Sequence, residues 1–258
     1  GWADYCLYDR VSSKGEADTM DYVLPDLGQA KLRAARKPQT VLAVMAGSNM
    51  VHHNHNDIGS FIYYTRGTTF LTDPGAPVYT ATTFTSERYK LLHCSSRGHS
   101  VPVINGHEQA GGRYAVEPRP AYATLTVQGA NEAGDKQAVI DMTPAYDVAS
   151  LASLTRTFRI EPRGPLVLSD EYRFSSKPKA VEEAFITLET ARVREEGRTV
   201  RIGKGKAVAM LTAPDTPGRF EVHEMNGEAD QGRSGLVRRI VFTPERLGRS
   251  MTLTFRVK

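Results

Sequence analysis

The chain has 258 residues, of which 40% are hydrophobic and 24% charged, and it carries a formal net charge of +4. That length holds one large all-β domain or two smaller domains, and the balance of residues is the one expected of a soluble globular protein. No apolar run approaches the roughly 18 residues of a membrane-spanning helix, and the scattered arginines (Arg192, Arg194, Arg198, Arg201, Arg238, Arg239) come with no nucleic-acid motif. Neither a membrane nor a nucleic acid is therefore expected as a partner, and the modest positive charge suits an acidic ligand.

Gly1–Arg10 has no basic start followed by an apolar core, so no signal peptide is expected there. Residues 1–23 carry no sustained period and read as an irregular arm or the remnant of an interdomain connection, with one sandwich domain expected over 24–258. Strands are expected at Gln29–Arg33, Thr40–Ala46, Ser60–Thr65 and Thr68–Leu71, with Gly67 at the turn between the last two. Thr85–His93 is the best candidate for a short helix. Period-two alternation then recurs at Ala123–Val127, Leu154–Ile160, Leu166–Leu168, Thr199–Ile202, Arg239–Phe242 and Met251–Val257, the mark of half-buried strands. Breaks rich in Gly, Pro and Asp (Glu161–Pro165, Ala213–Asp215, Asn226–Gly227) separate them at short intervals, which favours antiparallel meanders over crossover helices. The expected fold is all-β, a large antiparallel β-sandwich. Cys6 and Cys94 lie far apart with no CxxC spacing and are expected to be structural thiols.

The segment Val51-His52-His53-Asn54-His55-Asn56-Asp57 gathers three of the chain's seven histidines. In an extended segment His53 and His55 would share one face, with Asn54 and Asn56 pointing away. Neutral imidazole is a common zinc ligand, and two such groups need at least one further donor. Asp73, held by the Asp73-Pro74-Gly75 turn, and His99 are candidates, since two histidines and a carboxylate suit zinc with an open position. The plainer readings are that Asp73 caps a turn and that His99 is a satisfied core histidine. A cupin-type oxygenase site is disfavoured because Ile58–Phe61 lacks the carboxylate that cupins place about four residues after the second histidine. For His52, His93, His107 and His223 an ordinary surface or core role is expected.

The stretch His53–Gln109 resembles the carboxy-terminal domain of heparinase II/III-like polysaccharide lyases. The likeness rests on His53, His55, Asp57, Gly59, Ser60 and Phe61 as a His-x-His-x-Asp-x-Gly-Ser-Phe run, then Asp73–Gly75, Tyr79-Thr80, Phe84, Arg88-Tyr89, and finally His99, Ile104–Gly106 and Gln109. The resemblance implies a sandwich that normally follows an amino-terminal α/α toroid, which this chain lacks, and a parent enzyme that cleaves uronic-acid polysaccharides such as heparan sulfate or alginate by β-elimination. It implies zinc as cofactor on His55, Asp73 and His99, with His53 facing the substrate. It also implies catalytic help from Tyr79 or Tyr89 and substrate contacts from Arg88 and Asn54. The toroid would be the partner domain and an acidic polysaccharide the substrate, and secretion or a periplasmic location follows from such a polymer. One departure is Ser100, where the family usually has Asn. The resemblance further implies that the isolated chain is inactive or nearly so; a non-catalytic glycan-binding or structural module is the alternative.

Overall fold

The computed structural model describes residues 20–34, 39–162, 164–225 and 236–258. Within them the regular structure is β, supplemented only by short 3-10 turns, and the strand pairings are antiparallel. In chain order, β1 (Tyr22–Leu24), β2 (Gln29–Arg33) and β3 (Thr40–Met45) are followed by the two-residue β4 (Gly47–Ser48), then β5 (Phe61–Thr65) and β6 (Thr68–Leu71). All but β4 form one sheet in the order β1-β2-β3-β5-β6. Gly67 makes the β5–β6 turn at φ 80, a conformation that favours glycine.

After the short β7 (Val103–Ile104) and β8 (Tyr122–Ala123), which pairs with β4, a meander runs through β9 (Leu125–Gln128), β10 (Lys136–Asp141), β11 (Leu151–Ile160) and β12 (Leu166–Phe174). It joins β14 (Ala191–Arg194), β15 (Thr199–Lys204), β16 (Ala207–Thr212) and β19 (Ser250–Val257) in an eight-stranded sheet. The strands β13 (Val181–Thr187), β17 (Gly218–Met225) and β18 (Val237–Pro244) complete a four-stranded sheet with β7. The inward faces meet in a continuous aromatic core: Phe61 lies 5.0 Å from Phe158, and Phe185 and Phe242 lie 4.9 and 5.2 Å from Phe255. Each such fully buried side chain stabilises the fold by about 1.5–3 kcal/mol relative to exposure.

The expected strands are present, with boundaries shifted by a few residues. The short helix expected within Thr85–His93 is present as a 3-10 turn over Ser86–Lys90, preceded by another over Ala81–Phe84. One local expectation needs correction, since the histidine run is not an extended segment. His53 has φ 60 within a turn, which breaks the two-residue alternation and sends His53 and His55 to different surroundings. Asn54 and Asn56, expected to point away, are buried.

At the amino end, β1 already begins at Tyr22, inside the stretch expected as an arm. Asp21 is buried, and its carboxylate accepts from the backbone N–H of Arg33 and Asn131 and from Lys136 Nζ at 2.6 Å. The remainder of that arm, with Cys6, and the Asn226–Gly227 break lie outside the described residues. Among the described residues no helix is long and apolar enough to cross a membrane.

Candidate metal centre and aromatic face

The site is built from three loops that leave the ends of strands. The first runs from β4 to β5 and carries His53, His55 and Asp57; the second follows β6 and carries Asp73; the third precedes β7 and carries His99. Ligand atoms of His55, Asp57 and His99 lie within 4.8 Å of one another. Donors about 2 Å from a shared ion lie no more than about 4 Å apart, so this cluster needs only a small inward adjustment to hold one. Asp73 reaches the same group through His99: its Oδ2 is 2.9 Å from His99 Nδ1, while its Oδ1 accepts from the Gly75 N–H at 2.8 Å. The turn expected to lock Asp73 therefore does so. His99 Nε2 meets the His93 carbonyl at 3.1 Å.

The charges of the pair follow from these contacts. Burial opposes a charge on His99, but the charge and hydrogen bond of Asp73, reinforced by Asp57, outweigh it and raise the imidazole's pKa. Burial likewise opposes ionisation of Asp73, and the charge and hydrogen bond of His99 overcome it, lowering the carboxyl's pKa. Asp73 also favours a charge on His55, but more weakly than the opposing effects. Burial of His55, followed by the His99 charge 5.3 Å away between ring centroids, lowers its pKa to about 3, so it is neutral with a lone pair to offer. A metal would have to displace the proton that His99 holds toward Asp73 or the His93 carbonyl, and two imidazoles with adjacent carboxylates then make a donor set that fits zinc.

The surroundings hold these loops by replacing missing ladder bonds. Gln109 acts as a substitute strand: its side-chain oxygen accepts from the Ile58 N–H at 3.0 Å and its nitrogen donates to the Ile58 carbonyl at 2.7 Å. Ser96 Oγ donates to the Asn56 carbonyl, and Asn56 donates to the Gln109 carbonyl. Ser100, where the family usually has Asn, accepts from the Ile186 N–H through its Oγ at 2.9 Å. Gly59 sits at φ +94, and a Cβ there would stand 2.5 Å from the Met142 side chain.

Arg88 and Asn54, expected at the substrate, are placed beneath the surface instead. Arg88 is fully buried; its Nε donates to the Asn54 carbonyl at 2.8 Å and its Nη1 to the Thr83 carbonyl at 2.7 Å, so it braces the histidine loop. Its guanidinium also lies 5.1 Å from the Tyr114 ring. Asn54 Oδ1 accepts from the hydroxyl of half-buried Tyr89 at 3.2 Å, and that hydroxyl accepts in turn from the Tyr114 N–H.

Of the two candidate tyrosines, Tyr79 is the exposed one. The His53 ring stands edge-on to Tyr79 at 5.0 Å and to Phe84 at 5.8 Å, and Tyr79 stacks on Phe84 at 5.7 Å. Tyr114, which sequence reasoning missed, closes this group: its hydroxyl accepts from the His53 N–H and its ring lies 6.4 Å from Phe84. With Tyr79 45% and Phe84 49% exposed, these rings form an accessible aromatic face beside the buried cluster. Asp57 was also passed over as a donor, although it stands two residues after His55 in the same motif.

Fold and site together define an antiparallel β-sandwich module carrying a histidine and carboxylate centre under an aromatic surface. The sequence profile of the heparinase II/III-like C-terminal domain matches residues 17–224, and the chain belongs to that family. Among solved structures it is similar to the heparan sulfate lyase HepC from Pedobacter heparinus, with a TM-score of 0.74 and 15% identity over 99% of this chain and 40% of that one. It is also similar to a heparinase III, with a TM-score of 0.69 and 15% identity over 94% of this chain and 37% of that one. The chain thus spans about two fifths of the length of the structures it matches. No curated protein is close enough in sequence to count as a match.

Proposed function

We propose that this chain is the metal-binding sandwich portion of a polysaccharide lyase that cleaves uronic-acid-containing polysaccharides by β-elimination. The observation that carries the reading is the juxtaposition of His53 and Tyr79 on an exposed aromatic face with the cluster of half-buried His55 and buried Asp57, Asp73 and His99. Membership of the heparinase II/III-like family supplies the lyase context.

β-Elimination requires removal of the proton on C5 of a uronate, neutralisation of the adjacent carboxylate and protonation of the departing O4. The His53 ring and the Tyr79 hydroxyl are titratable groups on the accessible face. His53 would donate a hydrogen bond to the uronate carboxylate or exchange a proton at the reacting carbons, while Tyr79 would serve the leaving oxygen. Phe84 and Tyr114 offer apolar rings for a sugar to rest on and exclude water from one side. Zinc on His55, Asp73 and His99, with Asp57 in reach, would act structurally by tying three loops together. The remaining catalytic groups belong to the partner toroid domain, so the chain alone is inactive or nearly so. A polymeric acidic substrate places such an enzyme in the periplasm or outside the cell.

The test is an unsaturated-uronate absorbance assay of the full-length parent against heparan sulfate, chondroitin, hyaluronan and alginate. Absorbance growth on at least one polymer is expected, and none on any of them rejects the lyase reading in favour of a binding or structural module.

A further inference from the structure

The inward face of β11 carries an arginine between two core residues. Leu154, Arg156 and Phe158 alternate on one side of the strand, and all three are fully buried. Every N–H of the Arg156 guanidinium has an acceptor. Nε and Nη2 grip Asp170 on β12, at 2.8 and 2.5 Å, and Nη2 also reaches Glu183 on β13 at 3.2 Å. Nη1 leaves this ion network altogether: it donates to the Gly59 carbonyl at 2.9 Å and to the Ser100 carbonyl at 2.6 Å. Those carbonyls stand two residues after Asp57 and one after His99, and belong to two of the three loops that carry the candidate ligands.

A buried guanidinium costs several kcal/mol in lost hydration unless its partners compensate. Asp170 alone would balance its charge, while burial and then the Asp170 charge push the Glu183 carboxyl well above the usual carboxylate range, with Tyr172 Oη donating to it. Charge pairing between β11 and β12 thus needs only one side of the fork. The other side spans two loops that no ladder joins, with a planar geometry that fixes the separation of the two carbonyls.

We propose that Arg156 is a positioning residue for the metal centre, setting the spacing between the His55–Asp57 turn and the His99 loop by holding both carbonyls on one nitrogen. This inference rests on the metal-site reading of the previous section. It predicts that replacing the fork while keeping the charge loosens the donor set without dismantling the sandwich.

The experiment measures zinc affinity of the folded chain by competition with a chromophoric chelator, alongside circular dichroism and thermal melts, for wild type, Arg156→Lys and Glu183→Gln. Lysine retains a cation for Asp170 but lacks the planar fork. Arg156→Lys is expected to fold and to bind zinc at least about tenfold more weakly. Glu183→Gln leaves the Arg156 contacts to the Gly59 and Ser100 carbonyls in place and is expected to keep wild-type affinity. The proposal is overturned by wild-type affinity in folded Arg156→Lys, by an equal loss in Glu183→Gln, or by failure of Arg156→Lys to fold, which would make the residue a joint of the sheets. Absence of zinc binding in wild type would reject the metal-site reading itself, an outcome separate from these.

Discussion

His55 and His53 stand two positions apart, and their alanine variants should diverge in a way that only a metal role explains. His55 is partly buried against His99, whereas His53 is exposed and its ring meets Tyr79 and Phe84 edge-on. A ligand that binds only the folded state at about a thousand times its Kd contributes about 4 kcal/mol. A chain of this size shifts its Tm by about 2–4 °C for each kcal/mol, so losing zinc should lower the Tm by about 8–16 °C. His53→Ala removes these exposed edge contacts, together worth about 1 kcal/mol, and should move the Tm by no more than about 4 °C. The assay is a set of thermal melts of wild type and both variants, each with saturating zinc and with chelator. The His55→Ala deficit should nearly vanish in chelator, because the metal term is then absent from both proteins. Equal deficits for both variants in zinc, or a wild-type Tm that zinc does not move, would refute the division of roles.

Acid should destabilise the metal-free chain through His55. Its folded pKa is lowered to about 3 while the unfolded value stays near 6.5, so its contribution is intact above 6.5 and lost as pH falls toward 3. By about pH 5 the loss is at most about 2 kcal/mol, reduced by the partial exposure of the ring; urea titrations at the two pH values should show it, and His55→Gln should flatten the slope. His99 has the opposite sign, its contribution being lost as pH rises through its raised folded value. Asp73→Asn should abolish zinc binding and Asp57→Asn weaken it by about 10–100-fold, and a reversed order in chelator competition would exchange their assignments. Gln109→Leu leaves the Ile58 N–H and carbonyl buried without partners and should cost about 2–5 kcal/mol in chemical denaturation; a cost within 0.5 kcal/mol of zero would contradict the substitute-strand reading. In the full-length parent, Phe84→Ala should raise KM more than it lowers kcat if the ring supports bound sugar.

Alternation carried the sandwich because each strand half-buries itself, and Leu154–Ile160 and Met251–Val257 show the expected inward residues. The same alternation held an unread signal. Arg156 and Asp170 both occupy inward positions of their strands, and a charge at such a position announces a buried pair. The histidine loop was legible as chemistry but not as geometry, since a single positive φ at His53 cancels any two-residue rule. Burial of Arg88 depends on Thr83 and Asn54, and the 3-10 turns that carry Thr83 and Arg88 itself leave no periodic trace. Tyr114 joins the aromatic face from a loop 61 positions beyond His53, a contact set by tertiary packing alone.

The most direct test of the central claim is the product chemistry of the full-length parent in heavy-oxygen water, read by mass spectrometry for wild type and His53→Ala. β-Elimination cleaves the C4–O4 bond without consuming water, so wild-type products should carry an unsaturated uronate and no heavy oxygen, and His53→Ala should form the same products far more slowly. Incorporation of heavy oxygen at the cleavage site, or an undiminished rate in His53→Ala, would contradict the account.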